Sequence, residues 1–217
     1  RPRPGLLLVS NWRGINQTNI AKAKNIAGRD YVIFMGDMYG RDLRPRNDAE
    51  AQAAVKPLYA NRAEMRARAV AAFEELKQLA QTHAAPIDAS RLAAIGFCFG
   101  GSSVLDLARS GTDVAAVVSF HGALSTDDPS LAKNIKARVL AMNGADDKGT
   151  MPDADKFMDE MRMSPAEWQF LVFGHAVHCF AEPDANSPPG CVYNPKVAKR
   201  AFKMMHDWLD QAFAPEH

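Results

Sequence analysis

Six short stretches of the chain are apolar almost without interruption: 5–10, 30–35, 91–97, 113–120, 137–142 and 167–172. Runs of this length with no polar alternation predict strands buried on both faces. The segments between them carry polar and apolar residues mixed at helical spacing, over 16–27, 48–59, 62–83, 101–110, 153–163 and 195–212. Within 62–83, Ala63, Met65, Ala67, Ala71, Phe73 and Leu76 are mostly strong helix formers. Gly28 follows the first helical stretch as a stop signal. Strands alternating with helices predict the α/β class, with a mostly parallel, doubly wound sheet covered on both faces. No repeat and no linker interrupts the pattern, so residues 1–217 are expected to form one domain.

Composition narrows the classes of function. The 217 residues carry 26 basic and 25 acidic side chains, a net charge of +1, so no overall field favours nucleic acid or an anionic membrane. No apolar stretch approaches the ~20 residues of a membrane-spanning helix. A small-molecule substrate, with the protein a monomer or small homo-oligomer, is the expected partnership. The cytoplasm is the default compartment, and the periplasm applies if a leader has been removed. Three cysteines, Cys98, Cys179 and Cys191, form neither a CxxC pair nor a metal-ligand array, so neither metal nor cofactor is expected. Cys179 and Cys191 enclose a stretch rich in Pro, Asn and Gly. Free buried thiols are the commoner reading, and a loop-closing disulfide, which would indicate an oxidising compartment, is the sharper one.

Candidate chemistry collects behind the strands, where ligands bind in open α/β sheets. Residues 96–101 read Gly-Phe-Cys-Phe-Gly-Gly between a strand and a helix, the pattern of a nucleophile elbow with Cys98 at its apex. A thiol needs less activation than a hydroxyl, because part of it is thiolate near neutral pH. Asp146 and Asp147 follow the fifth apolar run, and His175 and His178 follow the sixth. Nucleophile, acid and histidine thus occur in the order used by α/β hydrolases. His121 ends the fourth run and is expected to wall the cleft, and Tyr39 and Trp12 are candidate pocket aromatics.

At these positions the chain closely resembles the dienelactone hydrolase family, from Gly5 to Phe213. The resemblance rests on Asn11-Trp-Arg-Gly-Ile-Asn16, Asp37-Met-Tyr-Gly40, the elbow, Gly144-Ala-Asp-Asp147 and Ala176-Val-His-Cys-Phe180, all in order. It implies an α/β-hydrolase fold and hydrolysis of a small carboxylic ester, lactone or thioester through an acyl-cysteine. It also implies the triad Cys98, His178 and Asp147, with Asp146 as runner-up acid. The backbone N–H groups of Trp12 and Phe99 would form the oxyanion hole. The family's leading antiparallel hairpin is expected to be missing, which would leave strand 30–36 at a sheet edge.

Two departures from the family pattern bear on the substrate. Asn11 stands where the family has a glutamate that pairs with the resting thiol, and an amide cannot take the thiol proton. Glu182 stands where the archetype has an arginine that holds its anionic lactone. A neutral or cationic ester is therefore expected, with Asn11, Arg13, Tyr39, His121 and Glu182 around it. The competing readings are a weakly active or non-catalytic binding protein of hydrolase ancestry, kept open by Asn11, and a thiol-redox protein. The second is weakened by the lack of a resolving cysteine close to Cys98 in sequence.

Overall fold

The computed structural model describes residues 1–215. The apolar runs become six strands: β1 (Arg3–Val9), β2 (Val32–Gly36), β3 (Ile87–Phe97), β4 (Ala116–Phe120), β5 (Arg138–Gly144) and β6 (Trp168–Phe173). All neighbouring pairs are parallel, in the order β2-β1-β3-β4-β5-β6. Among the described residues, β2 and β6 are the outer strands of this sheet. Around the sheet pack α1 (Gln17–Ala27), α2 (Asp48–Ala60), α3 (Arg62–Gln81), α4 (Phe99–Arg109), α5 (Ala154–Met161) and α6 (Pro195–Phe213).

The two-residue period of a strand sends successive side chains into two separate cores. Leu7, Val9, Ala94, Val117 and Val139 face Met65, Phe73 and Leu76 of α3, Val104 of α4 and Phe157 of α5. Leu6, Leu8, Ile95, Val118 and Phe120 face Ala23 and Ile26 of α1 and Met205, Trp208 and Leu209 of α6. Burial on both faces explains why these strands read as continuous apolar runs. Four helices, α1, α2, α3 and α6, start at Asn16, Asn47, Asn61 and Asn194, each side chain accepting the N–H three residues on.

Several boundaries differ from the pattern-based ones. Strand β3 begins at Ile87, and its pairing with β1 slips between Pro4 and Gly5, so a bulge hides its polar start from a run of apolar residues. Helix α3 stops at Gln81, and His83 adopts a positive φ of 56° that ends the helical path. A 3₁₀ turn, Met151–Asp153, precedes α5, and β4 starts three residues later than the apolar run. The hairpin of β7 (Asn186–Ser187) and β8 (Cys191–Val192) has no counterpart in the apolar pattern.

A buried ion network fixes the loop behind β4. Arg62 and Arg109 both donate to Asp106, and Arg109 also donates to Glu160 at 2.7 Å. The same guanidinium groups reach the carbonyl oxygens of Leu124 and Ser125. Every one of these charges is paired, as burial requires. No helix of the described residues is long and apolar enough to cross a membrane.

Candidate active site

The strand ends converge on Cys98. Its φ of 52° and ψ of −118° place it in strained backbone between the last residue of β3 and the first of α4. The turn demands glycine on both sides. A Cβ on Gly96 would lie 2.0 Å from the carbonyl oxygen of Gly100, and one on Gly100 would lie 1.9 Å from that of Val9. Helix α4 can start this close to β1 only because those side chains are absent.

Asp147 lies in the loop after β5 and is 3% exposed, whereas Asp146 is exposed. One carboxylate oxygen of Asp147 accepts the backbone N–H groups of Gly149 and Thr150, and the other sits 2.8 Å from Nδ1 of His178. Burial works against the charge of Asp147, but these donors outweigh it and hold its pKa below the ordinary value. A ring nitrogen of His178 lies within 4.8 Å of Cys98 Sγ. His178 thus lies beside both the acid and the thiol.

Cys98 and His178 share a proton problem. Burial pushes the Cys98 thiol above its usual range. Burial also opposes a charge on His178, but the Cys98 thiolate and the Asp147 carboxylate outweigh it and push the imidazolium up to about 11. Each charge alone is disfavoured in this pocket, while the thiolate–imidazolium pair supports itself.

His121 is fully buried and does more than wall the cleft. Its Nδ1 lies 3.1 Å from Cys98 Sγ, and its ring packs edge-on against His178 and Phe180. Burial, reinforced by the positive charges of His178 and Lys22, holds it neutral far below the usual histidine range. A neutral ring serves either state of the sulfur: Nδ1 accepts from a thiol, or with the other tautomer donates to a thiolate.

Tyr39 bridges the two segments that carry the expected oxyanion donors. Phe99 is the first residue of α4, so no preceding helical carbonyl can take its N–H. Tyr39 stacks on the Phe99 ring with centroids 5.8 Å apart and donates from its hydroxyl to the carbonyl of Trp12 at 2.7 Å. Burial raises the Tyr39 pKa, so this donor stays protonated. Tyr39 therefore ties the Trp12 loop to the start of α4.

Asn11 exchanges hydrogen bonds with Asn19 and accepts the backbone N–H of Arg13, so it braces the turn. The arginines nearest to an anion-clamping role are engaged: Arg13 with Asp48, Arg44 with Asp37 and Arg46 with Glu50. Glu182 corrects an expectation. It is 3% exposed and paired with Lys22 at 2.5 Å, so it presents no free charge to a substrate. Lys22 is absent from the sequence-based candidates, although it shares the buried stripe of α1 with Asn19, Ala23 and Ile26, a spacing readable in the sequence. Its ammonium also sits 3.9 Å over the Phe97 ring, directly beside the elbow. The commoner reading of Cys179 and Cys191 is corrected as well: they form a disulfide, and Cys98 is the free thiol.

With this geometry in hand, the profile of the dienelactone hydrolase family matches residues 1–213. The chain belongs to the dienelactone hydrolase family. Among solved structures, a dienelactone hydrolase-like promiscuous phosphotriesterase from metagenomic libraries is 35% identical, with a TM-score of 0.88 over 98% of this chain and 88% of that one. A dienelactone hydrolase from Anabaena variabilis shares the fold at 17% identity, with a TM-score of 0.69 over 97% of this chain and 87% of that one. An uncharacterized protein of Caenorhabditis elegans is 32% identical over 133 residues, 59% of this chain and 84% of the worm protein. Membership in this family accounts for the parallel six-stranded sheet with helices around it.

Proposed function

We propose that this family member hydrolyses small uncharged carboxylic esters, lactones or thioesters through an acyl-cysteine on Cys98. The observation that carries the reading is this grouping: Asp147 at 2.8 Å from His178, and His178 beside the Cys98 sulfur at a strained elbow. His178 takes the thiol proton as the sulfur attacks the carbonyl carbon, and Asp147 holds the imidazole in the required tautomer. The N–H groups of Phe99 and Trp12 receive the developing oxyanion. His178 then protonates the departing alcohol or thiol. A water activated by the same histidine attacks the thioester, releasing the acid and restoring the Cys98 thiol.

The preference for an uncharged substrate now rests on different ground. Glu182 is neutralised by Lys22, so repulsion by it is not the reason. The reason is that Arg13, Arg44 and Arg46 are each committed to a carboxylate, leaving them unsuited to clamp an anion. Neutral phosphotriesters, the class named for the metagenomic relative, belong in the same substrate panel. The test is p-nitrophenyl acetate turnover by wild type, Cys98→Ala and Cys98→Ser, alongside anionic lactones and a neutral phosphotriester. The expected result is ester turnover that Cys98→Ala abolishes, with anionic lactones poorer by at least tenfold. Equal rates in wild type and Cys98→Ala would refute the nucleophile, and a preference for anionic lactones would refute the substrate class.

A further inference from the structure

The histidine loop carries sulfur chemistry that ester hydrolysis does not use. Cys179 follows His178 directly and is bonded to Cys191. The sulfur of Cys98, the sulfur of Cys179 and a ring nitrogen of His178 all lie within 4.8 Å of one another. A nucleophilic thiol, a base able to take its proton and an electrophilic disulfide therefore share one pocket. Cys179 is 8% exposed, whereas Cys191 is half-buried on the hairpin that the disulfide ties down. The backbone keeps this arrangement in place: the N–H of Val192 donates to the carbonyl of His178 at 3.1 Å, and Cys179 holds a positive φ of 66°.

We propose that Cys98, Cys179 and Cys191 form a three-sulfur exchange site. The Cys98 thiol gives its proton to His178, and the resulting thiolate attacks Sγ of Cys179. A Cys98–Cys179 disulfide forms as the Cys179–Cys191 bond breaks, and the electron pair of that bond leaves on Cys191. The Cys191 thiolate then takes a proton from solvent, to which it is the most exposed of the three, and His178 releases to solvent the proton it took from Cys98, so the protons balance. One disulfide and one thiol exist before and after, so no outside oxidant or reductant is consumed. Holding the reacting sulfurs in one pocket gives the step the advantage of an intramolecular reaction. The exchanged form has no free Cys98 sulfur and no hydrolytic nucleophile, and it exposes a reactive thiol at position 191. The protein thereby gains a reversible self-capped state and a modification site at Cys191.

The proposal shares the Cys98 thiolate with the hydrolytic reading but needs no acyl transfer, so the two fail separately. The experiment incubates the native, unreduced protein with a maleimide on a polyethylene glycol chain. That reagent traps Cys191 irreversibly whenever exchange releases it, while Cys98, at 9% exposed, is the less accessible thiol. Peptide mapping without reduction then locates the label and the remaining disulfide. The expected result is label accumulating on Cys191 with time, together with a Cys98–Cys179 linked peptide and a parallel loss of esterase activity. Dithiothreitol added afterwards should restore activity while the label stays on Cys191. Cys98→Ser should remain unlabelled at Cys191. Labelling of Cys98 in place of Cys191, an intact Cys179–Cys191 bond throughout, or Cys191 labelling in Cys98→Ser would each overturn the proposal. Label on Cys191 in a protein that hydrolyses no ester would uphold the exchange and refute only the hydrolytic function.

Discussion

Replacing Lys22 by methionine removes one charge from behind the elbow while keeping most of the side-chain volume. The side chains of Lys22 and Glu182 are 5% and 4% exposed, and their charged atoms are 2.5 Å apart. The second carboxylate oxygen of Glu182 already lacks a hydrogen-bond partner, so the ammonium is its main compensation. Breaking a buried pair from one side typically costs about 3–5 kcal/mol, because the other charge is left without a partner. At about 2–4 °C per kcal/mol for a chain of this size, the melting temperature should fall by roughly 6–20 °C. Glu182 raises and Lys22 lowers the Cys98 pKa, after the larger effects of burial and His178. Lys22→Met should therefore also slow alkylation of Cys98 by iodoacetamide at pH 8. Lys22→Met/Glu182→Gln removes both charges and should recover most of the lost stability. The assay is urea unfolding of the two variants and wild type at pH 5.5 and 8, with thiol alkylation rates beside it. A single variant within about 1 kcal/mol of wild type at pH 8, or a double variant no better than the single, would refute the reasoning.

Gly100→Ala would drive a methyl group to 1.9 Å from the Val9 carbonyl oxygen, so a loss of roughly 1–3 kcal/mol or more is expected in denaturant unfolding; native stability would show that α4 need not approach β1 so closely. Asp147→Asn keeps the shape but loses the acceptor that orients His178, and ester turnover should fall by about 10³–10⁴ with near-native circular dichroism. A loss below tenfold would remove Asp147 from the mechanism. Asp147, Asp88 and Asp127 all have pKa values lowered by folding. Their stabilisation is present above the ordinary value of 3.8 and is lost as pH falls through the lowered values. Urea midpoints should therefore drop between pH 5 and pH 2, and a flat profile would contradict those assignments.

The sheet can be read from the chain because parallel strands buried on both faces leave no polar alternation to confuse them. The start of β3 escapes such a reading for a definite reason: Asp88, Ser90 and Arg91 pair locally with one another, as in a turn, although the backbone is extended. Within the site, Cys98, Asp147 and His178 stand out because motif and chain order point to them together. His121 is visible as a strand-end residue, but its contact with the thiol follows from a fold in which β3 and β4 end side by side, with Phe97 opposite Phe120. Glu182 reads as a free charge because its partner lies 160 residues earlier, on a helix whose buried stripe alone betrays it. The disulfide cannot be chosen over free thiols from spacing, since a separation of 12 residues allows either. The hairpin around it has two-residue strands, too short to leave a hydrophobic period.

Hydrolysis as proposed requires the sulfur of Cys98 to carry the acyl group during turnover. Wild-type protein mixed with p-nitrophenyl acetate and quenched with acid within the first turnover should show an acetyl group by intact mass. Peptide mapping should place it on Cys98, formed at the rate of the p-nitrophenolate burst and lost at the steady-state rate. Turnover with no acetyl group on Cys98, or with one on another residue at a matching rate, would contradict the central claim.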